Sequence, residues 1–103
     1  MSPPIEFAAI NAAALPVLES LCARWLAGGR RIGPEWVCGS LRGEPGGSMK
    51  VRLVGQRRGH WADFATGERG GDVVSLAAAI FGLSQADAAR RVAAMLGMEA
   101  ERG

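Results

Sequence analysis

The stretch His60–Leu76, HWADFATGERGGDVVSL, constrains this chain most. Trp61, Phe64 and the short Ala62 and Ala65 suit a pleated, half-buried strand. That strand cannot run on past Thr66, because Gly67, Gly70 and Gly71 follow and permit backbone turns closed to other residues. Asp72 then stands where a helix needs an N-cap, its carboxylate placed to accept from the free backbone N–H groups of Val73-Val74-Ser75-Leu76. The stretch therefore dictates a strand, a tight turn and a capped helix in that order. Gly67, Gly70, Gly71 and Asp72 are read as its structural turn and cap.

On either side the apolar spacing changes period. Ahead of it, Met49, Val51 and Leu53 alternate with Lys50 and Arg52, which predicts a strand over 49–54 with one core face and one basic face. Glu35–Leu41 reads as an earlier strand, with Trp36 and Cys38 on one face and Val37 on the other. Residues 42–48 and 55–59 are glycine-rich turns, and the third strand covers 60–65.

A leading helix is expected over 11–27. Leu15, Leu18, Leu21, Cys22, Trp25 and Leu26 form its apolar face, Pro16 sits near its first turn or at a kink, and Gly28-Gly29 end it. After the central stretch, one helix runs from Asp72 to Phe81 and stops at Gly82. Ser84-Gln85-Ala86-Asp87, with Leu83 as a staple, opens a last helix that runs to about Leu96. The expected fold is α+β: a leading helix, a three-stranded antiparallel sheet and two C-terminal helices. Residues 1–10 are expected to be a flexible lead-in, 11–97 a single domain, and 98–103 a frayed tail or the start of a linker.

Composition narrows the functional classes. The chain of 103 residues is 49% hydrophobic and 21% charged, which is ordinary for one soluble domain. No apolar run approaches the roughly 20 residues of a membrane span, and the opening MSPPIEFAAIN lacks the basic region of a secretory leader. With two cysteines and no CxxC pair, we expect an intracellular, cytoplasmic protein without a disulfide framework. Catalytic constellations are absent from the pattern: one histidine, no Gly-x-Ser-x-Gly elbow, and no lysine after a glycine-rich loop. His60 and Asp63, three apart on a strand, fall on opposite faces. The loop at 67–71 could cradle a phosphate, but Asp72 takes the cap and Glu68 adds like charge.

The charge is unevenly spread. Arg30, Arg31, Arg42, Lys50, Arg52, Arg57 and Arg58 face only Glu35 and Glu44 in the middle third of a chain whose net charge is +2. That is either a solvated sheet face or a strand pair turned toward a polyanion. Trp36 and Trp61 among these cations either stack nucleic-acid bases or cap a thin core.

The run Trp61-Ala62-Asp63-Phe64-Ala65-Thr66-Gly67-Glu68-Arg69-Gly70-Gly71-Asp72, then Val73-Val74-Ser75-Leu76, Gly82-Leu83-Ser84 and Ala88, resembles the N-terminal zinc-ribbon part of phage and mobile-element DNA primases and primase-helicases. The resemblance spans Arg30 to Gly97. It implies a non-catalytic module that holds the single-stranded DNA template for a primase or helicase catalytic domain, in cis or in trans. The departure lies in the ligands. Of the first-hairpin region 38–43 and the knuckle 64–67, only Cys38 could bind metal, with Phe64 and Gly67 where knuckle cysteines would stand. A tetrahedral site takes four ligands. The resemblance thus implies a degenerate, zinc-ribbon-like domain with no metal and no cofactor. The expected DNA contacts are Arg42, Lys50, Arg52, Arg57, Arg58 and Trp61. A module that docks on a replication protein without touching DNA is the alternative.

Overall fold

The computed structural model describes residues 4–101. It is an α+β fold with a leading helical segment, a five-stranded antiparallel sheet and two C-terminal helices. The leading segment is α1 (Phe7–Ala14), one turn of 3-10 helix (Leu15–Val17) and α2 (Leu18–Trp25). Pro16 lies in that 3-10 turn, where its missing N–H and fixed φ tighten the winding between two α-helical stretches. Ile10, Ala14, Leu18, Leu21, Cys22 and Leu26 recur at helical spacing and are all buried.

Several boundaries differ from the sequence expectation. The helix begins at Phe7 rather than Asn11, because Ile10 has a place in the core. The run Phe7–Trp25, 19 residues, is long and apolar enough to cross a membrane, which corrects the expectation that none is. Its buried face, with Ile10, Ala14, Leu18, Leu21 and Cys22, is committed to the core of the fold. Residues at the two ends of the described chain meet: Ile5 bridges Glu101, Glu6 N donates to Ala100 O at 2.9 Å, and Ala100 is buried. Neither the lead-in nor the tail is therefore loose over residues 5 and 98–101; residues 1–3 and 102–103 of those segments lie outside the described part.

The sheet has five strands where three were expected. In sheet order, which is also chain order, they are β1 (Arg30–Ile32), β2 (Glu35–Cys38), β3 (Met49–Arg52), β4 (Trp61–Asp63) and β5 (Arg69–Gly70). The basic connector supplies β1, folding back on β2 through Gly33-Pro34, and the glycine-rich turn supplies β5. Both edge strands are too short to show a period-2 pattern in sequence. The three expected strands are also trimmed: 39–41, 53–54 and 64–65 bend out of the ladder. Cross-strand register runs Arg30, Val37, Lys50, Ala62, Arg69 in one row and Arg31, Trp36, Val51, Trp61, Gly70 in the next. Trp36, Val51 and Trp61 of the second row, with Cys38, Met49 and Leu53, face the helices and share their core.

Helix α3 (Val73–Phe81) starts as the sequence requires. Asp72 Oδ1 accepts from Ser75 N at 2.8 Å, while the Ser75 hydroxyl reaches back to the Asp72 backbone, closing a capping box. Asn11 of α1 covers another free donor, its Oδ1 accepting from Val74 N at 2.9 Å. Helix α4 (Gln85–Met95) is capped by the Ser84 hydroxyl, which accepts from Asp87 N at 3.1 Å, and Leu83 packs on the core beside it.

Candidate nucleic-acid interface

Alternation along β3 and β4 sends two sets of side chains to opposite sides of the sheet. Met49, Val51, Trp61 and Asp63 are buried on the helix side, and Lys50, Arg52 and Ala62 point away from it. The register adds Arg30 and Arg69 to the row of Lys50, and Glu35 stands opposite Arg52. At about 4.8 Å per strand step, that row stretches roughly 19 Å from Arg30 to Arg69. Between the strands lies a shallow depression of about 730 Å³, bordered by Glu35, Lys50, Arg52, Arg57, His60, Phe64 and Arg69.

The electrostatics of this face are one-sided. Ion pairs among the described residues join Arg31 to Glu19, and Arg90 to Asp87 and Glu101, all away from the depression. None involves Arg30, Lys50, Arg52, Arg57 or Arg69. Arg52 Nε donates to Val54 O at 3.0 Å, which fixes the side chain without neutralising it. Lys50 Nζ lies 5.8 Å from the centre of the Phe64 ring. Phe64 itself is 71% exposed, the most exposed large apolar side chain described.

The tryptophans occupy a different place from the one expected of base-stacking residues. Trp61 borders the depression, but its indole is turned into the core and Nε1 donates to Ser75 Oγ at 3.0 Å. Trp36 is likewise buried, Nε1 donating to Leu26 O at 3.1 Å. Each ring passes over a glycine. A Cβ on Gly29 would lie 2.5 Å from Trp36 Nε1, and one on Gly70 would lie 2.5 Å from Trp61 Nε1. The helices need these two rings as core, since their own contribution is largely alanine, valine and leucine.

Of the expected contact residues, the fold brings together Lys50, Arg52 and Arg57 and leaves two out. Arg58 lies in a separate shallow cleft with Leu15, Gly55 and Gln56. Arg42 belongs to the loop that packs back on the end of α2, where Gly28 N donates to Gly43 O at 2.7 Å. In that loop the Ser40 hydroxyl donates to Glu44 Oε1 at 2.6 Å. This bond, foremost, and the Arg42 charge, to a smaller extent, hold the Glu44 carboxyl below its usual range.

Five groups on the face were not singled out from the sequence as contacts: Arg30, Arg69, Phe64, His60 and Glu35. Phe64 was within reach, since it lies two positions from Ala62 and three from Trp61, on the opposite side of the sheet from Trp61. Arg69 was not, because the two-residue β5 is defined only by its pairing with Ala62. Comparison of the chain with protein-family models, with curated proteins and with solved structures finds no match.

The residues at the expected ligand positions do not fit zinc. Cys38 is buried, its thiol pushed up to about 11 chiefly by that burial, and Sγ donates to Ser40 O at 3.2 Å. Asp63, near Cys38 at the same end of the sheet, turns Oδ1 to Ala65 N at 2.9 Å and Thr66 N at 3.4 Å. Among the described residues no three of His, Cys, Asp or Glu converge. The Asp63 carboxylate ties the turn that follows β4. His60 and Asp63 fall on opposite faces, as their spacing required, with His60 on the depression.

Proposed function

We propose that the outer face of the sheet binds single-stranded DNA. In this reading the chain is the non-catalytic template-holding module of a cytoplasmic phage or mobile-element DNA primase or primase-helicase. The observation that carries the reading is the set of four cations, Lys50, Arg52, Arg57 and Arg69, that line the depression without an ion-pair partner among the described residues, with the exposed Phe64 ring at its edge. Cations left unpaired on a rigid sheet are preorganised for phosphates, and a ring beside them offers a base a stacking surface without sequence preference. A duplex would leave Phe64 no base face to meet. A surface built to dock a protein would be expected to carry a continuous apolar patch, whereas along this row Arg30, Lys50 and Arg69 alternate with Val37 and Ala62, and Val37 is buried.

The primase setting rests on the segment Trp61–Asp72, and it is supported by the order of elements. A hairpin, an aromatic strand, a tight turn and a capped helix follow one another as in the ribbon of those enzymes, with Asp63 in the role a metal would play. The partner would be the primase or helicase catalytic domain, in cis or in trans.

The test is anisotropy of a labelled oligothymidylate of about 12 nucleotides. Three to five phosphate contacts on a single strand weaken affinity about 20- to 100-fold between about 50 and 200 mM salt. The double variant Lys50→Glu, Arg52→Glu should lose binding and keep its circular dichroism, because both side chains leave the core. Equal titrations for wild type and variant would favour the protein-docking alternative.

A further inference from the structure

One carboxylate stands in this cationic depression. Glu35 opens β2, is half-buried, and lies across the ladder from Arg52. Among the described residues it makes no ion pair and no side-chain hydrogen bond, although acids elsewhere on the surface find arginines. Arg52 gives its Nε to Val54 O instead. An ionised carboxylate accepts hydrogen bonds and donates none. Toward a phosphate it is purely repulsive, so a face that gripped only backbone would bind better without it.

The depression is therefore suited to a ligand that brings anions to its rim and N–H donors to its floor. We propose that Glu35 reads a nucleobase, accepting hydrogen bonds from its Watson–Crick edge, and that guanine is the base it prefers. This rests on the single-stranded DNA reading above. Guanine presents two adjacent donors, N1–H and the 2-amino group, which match the two oxygens of one carboxylate. Thymine presents only N3–H, flanked by carbonyls that the carboxylate repels. Cytosine and adenine each offer one amino group beside an acceptor nitrogen. Glu35 and Phe64 are two strands and about four residues of rise apart, roughly 16 Å, so they take different bases of one strand. Phe64 holds any base, and Glu35 chooses.

The experiment uses the protein with three labelled oligomers of about 12 nucleotides: thymidine only, alternating guanosine and thymidine, and alternating inosine and thymidine. It is run in lithium salt, which does not support guanine quartets. Inosine keeps N1–H and lacks the 2-amino group. Wild type should bind the guanosine oligomer about tenfold more tightly than the thymidine one, and inosine should remove most of that gain. Glu35→Gln and Glu35→Ala should lose the preference while tightening on oligothymidylate, since a charge facing phosphates is gone. Circular dichroism verifies that both variants fold. Equal wild-type affinity for the guanosine and thymidine oligomers would overturn base reading and leave the DNA face standing. So would a preference that survives in Glu35→Ala while all three affinities rise together. Failure of wild type to bind any of the three would overturn the DNA reading itself, and base reading with it.

Discussion

Gly67, Gly70 and Gly71 are close in sequence but meet different surroundings, and replacing each in turn by alanine separates three kinds of cost. At Gly70 the backbone is unstrained and the obstacle is packing. An added Cβ would meet the Ser75 hydroxyl, with Trp61 Nε1 at 2.5 Å and Trp61 Cε2 at 2.8 Å. None of these can retreat freely. The Ser75 hydroxyl accepts from Trp61 Nε1 and donates to Asp72 O at 2.8 Å, and the indole is buried. Overpacking of this kind costs about 1–3 kcal/mol, and losing the Trp61–Ser75 hydrogen bond adds about 1 kcal/mol. We expect Gly70→Ala to destabilise by about 2–4 kcal/mol, a large share of the ~5–15 kcal/mol that holds a domain of this size.

At Gly67 nothing lies near, but φ is +83°, so alanine pays only backbone strain of about 1 kcal/mol. At Gly71 the nearest atom is His60 Cε1 at 3.6 Å and φ is unremarkable, so Gly71→Ala should be neutral or stabilising by up to about 0.5 kcal/mol through the unfolded chain. Urea unfolding followed by tryptophan fluorescence measures all three. A Gly70→Ala variant within about 0.5 kcal/mol of wild type, or a Gly71→Ala variant worse than it, would refute the packing argument.

Two further outcomes are expected. Phe64→Ala should weaken binding of oligothymidylate by about 1–3 kcal/mol, the worth of one stacked base, and leave the urea midpoint in place, because the ring makes no core contact; anisotropy and unfolding on the same sample test both. Burial pushes the Cys22 thiol up to about 12 and the Cys38 thiol up to about 11, from an ordinary value of 9.0. Raised folded values mean the protonated thiols stabilise the fold in full below about pH 9, and that contribution fades as pH climbs through 9 toward 11–12. Urea midpoints should fall across that window, and a Cys22→Ala, Cys38→Ala variant should show a shallower fall.

What could be read from the sequence is what local chemistry decides. The alternation Met49–Leu53 fixed which side of β3 is basic, and Asp72 and Ser84 announced both C-terminal helices because a cap acts within three residues of itself. Features that depend on a distant partner were hidden. β1 exists because Val37 is there to pair with Arg30, and the helix reaches back to Phe7 because Ile10 finds the core. Trp61 looked available for stacking because its proximity to cations was legible, whereas the Ser75 hydroxyl and the gap over Gly70 that draw it inward were not. Arg57 and Arg58 are neighbours in the chain, yet the turn sends them to opposite clefts.

The leading helix has a consequence for how the chain must be made. The buried face of α1 is covered by α3 and α4, and Asn11 reaches across to Val74, so the shelter for Phe7–Ala14 is encoded near the far end. Val92, buried against that core, follows Trp25 by 67 positions. At translation speeds of about 5–20 residues per second, the helix waits roughly 3–14 seconds for its cover. Throughout that interval a segment with the length and apolarity of a membrane anchor stands open to the targeting machinery and holdase chaperones that survey nascent chains. The sheet can zip up strand by strand as it emerges, since each strand pairs with the next one made. Helix α1 cannot, and ribosome-bound intermediates arrested before Val73 should be the ones such factors capture.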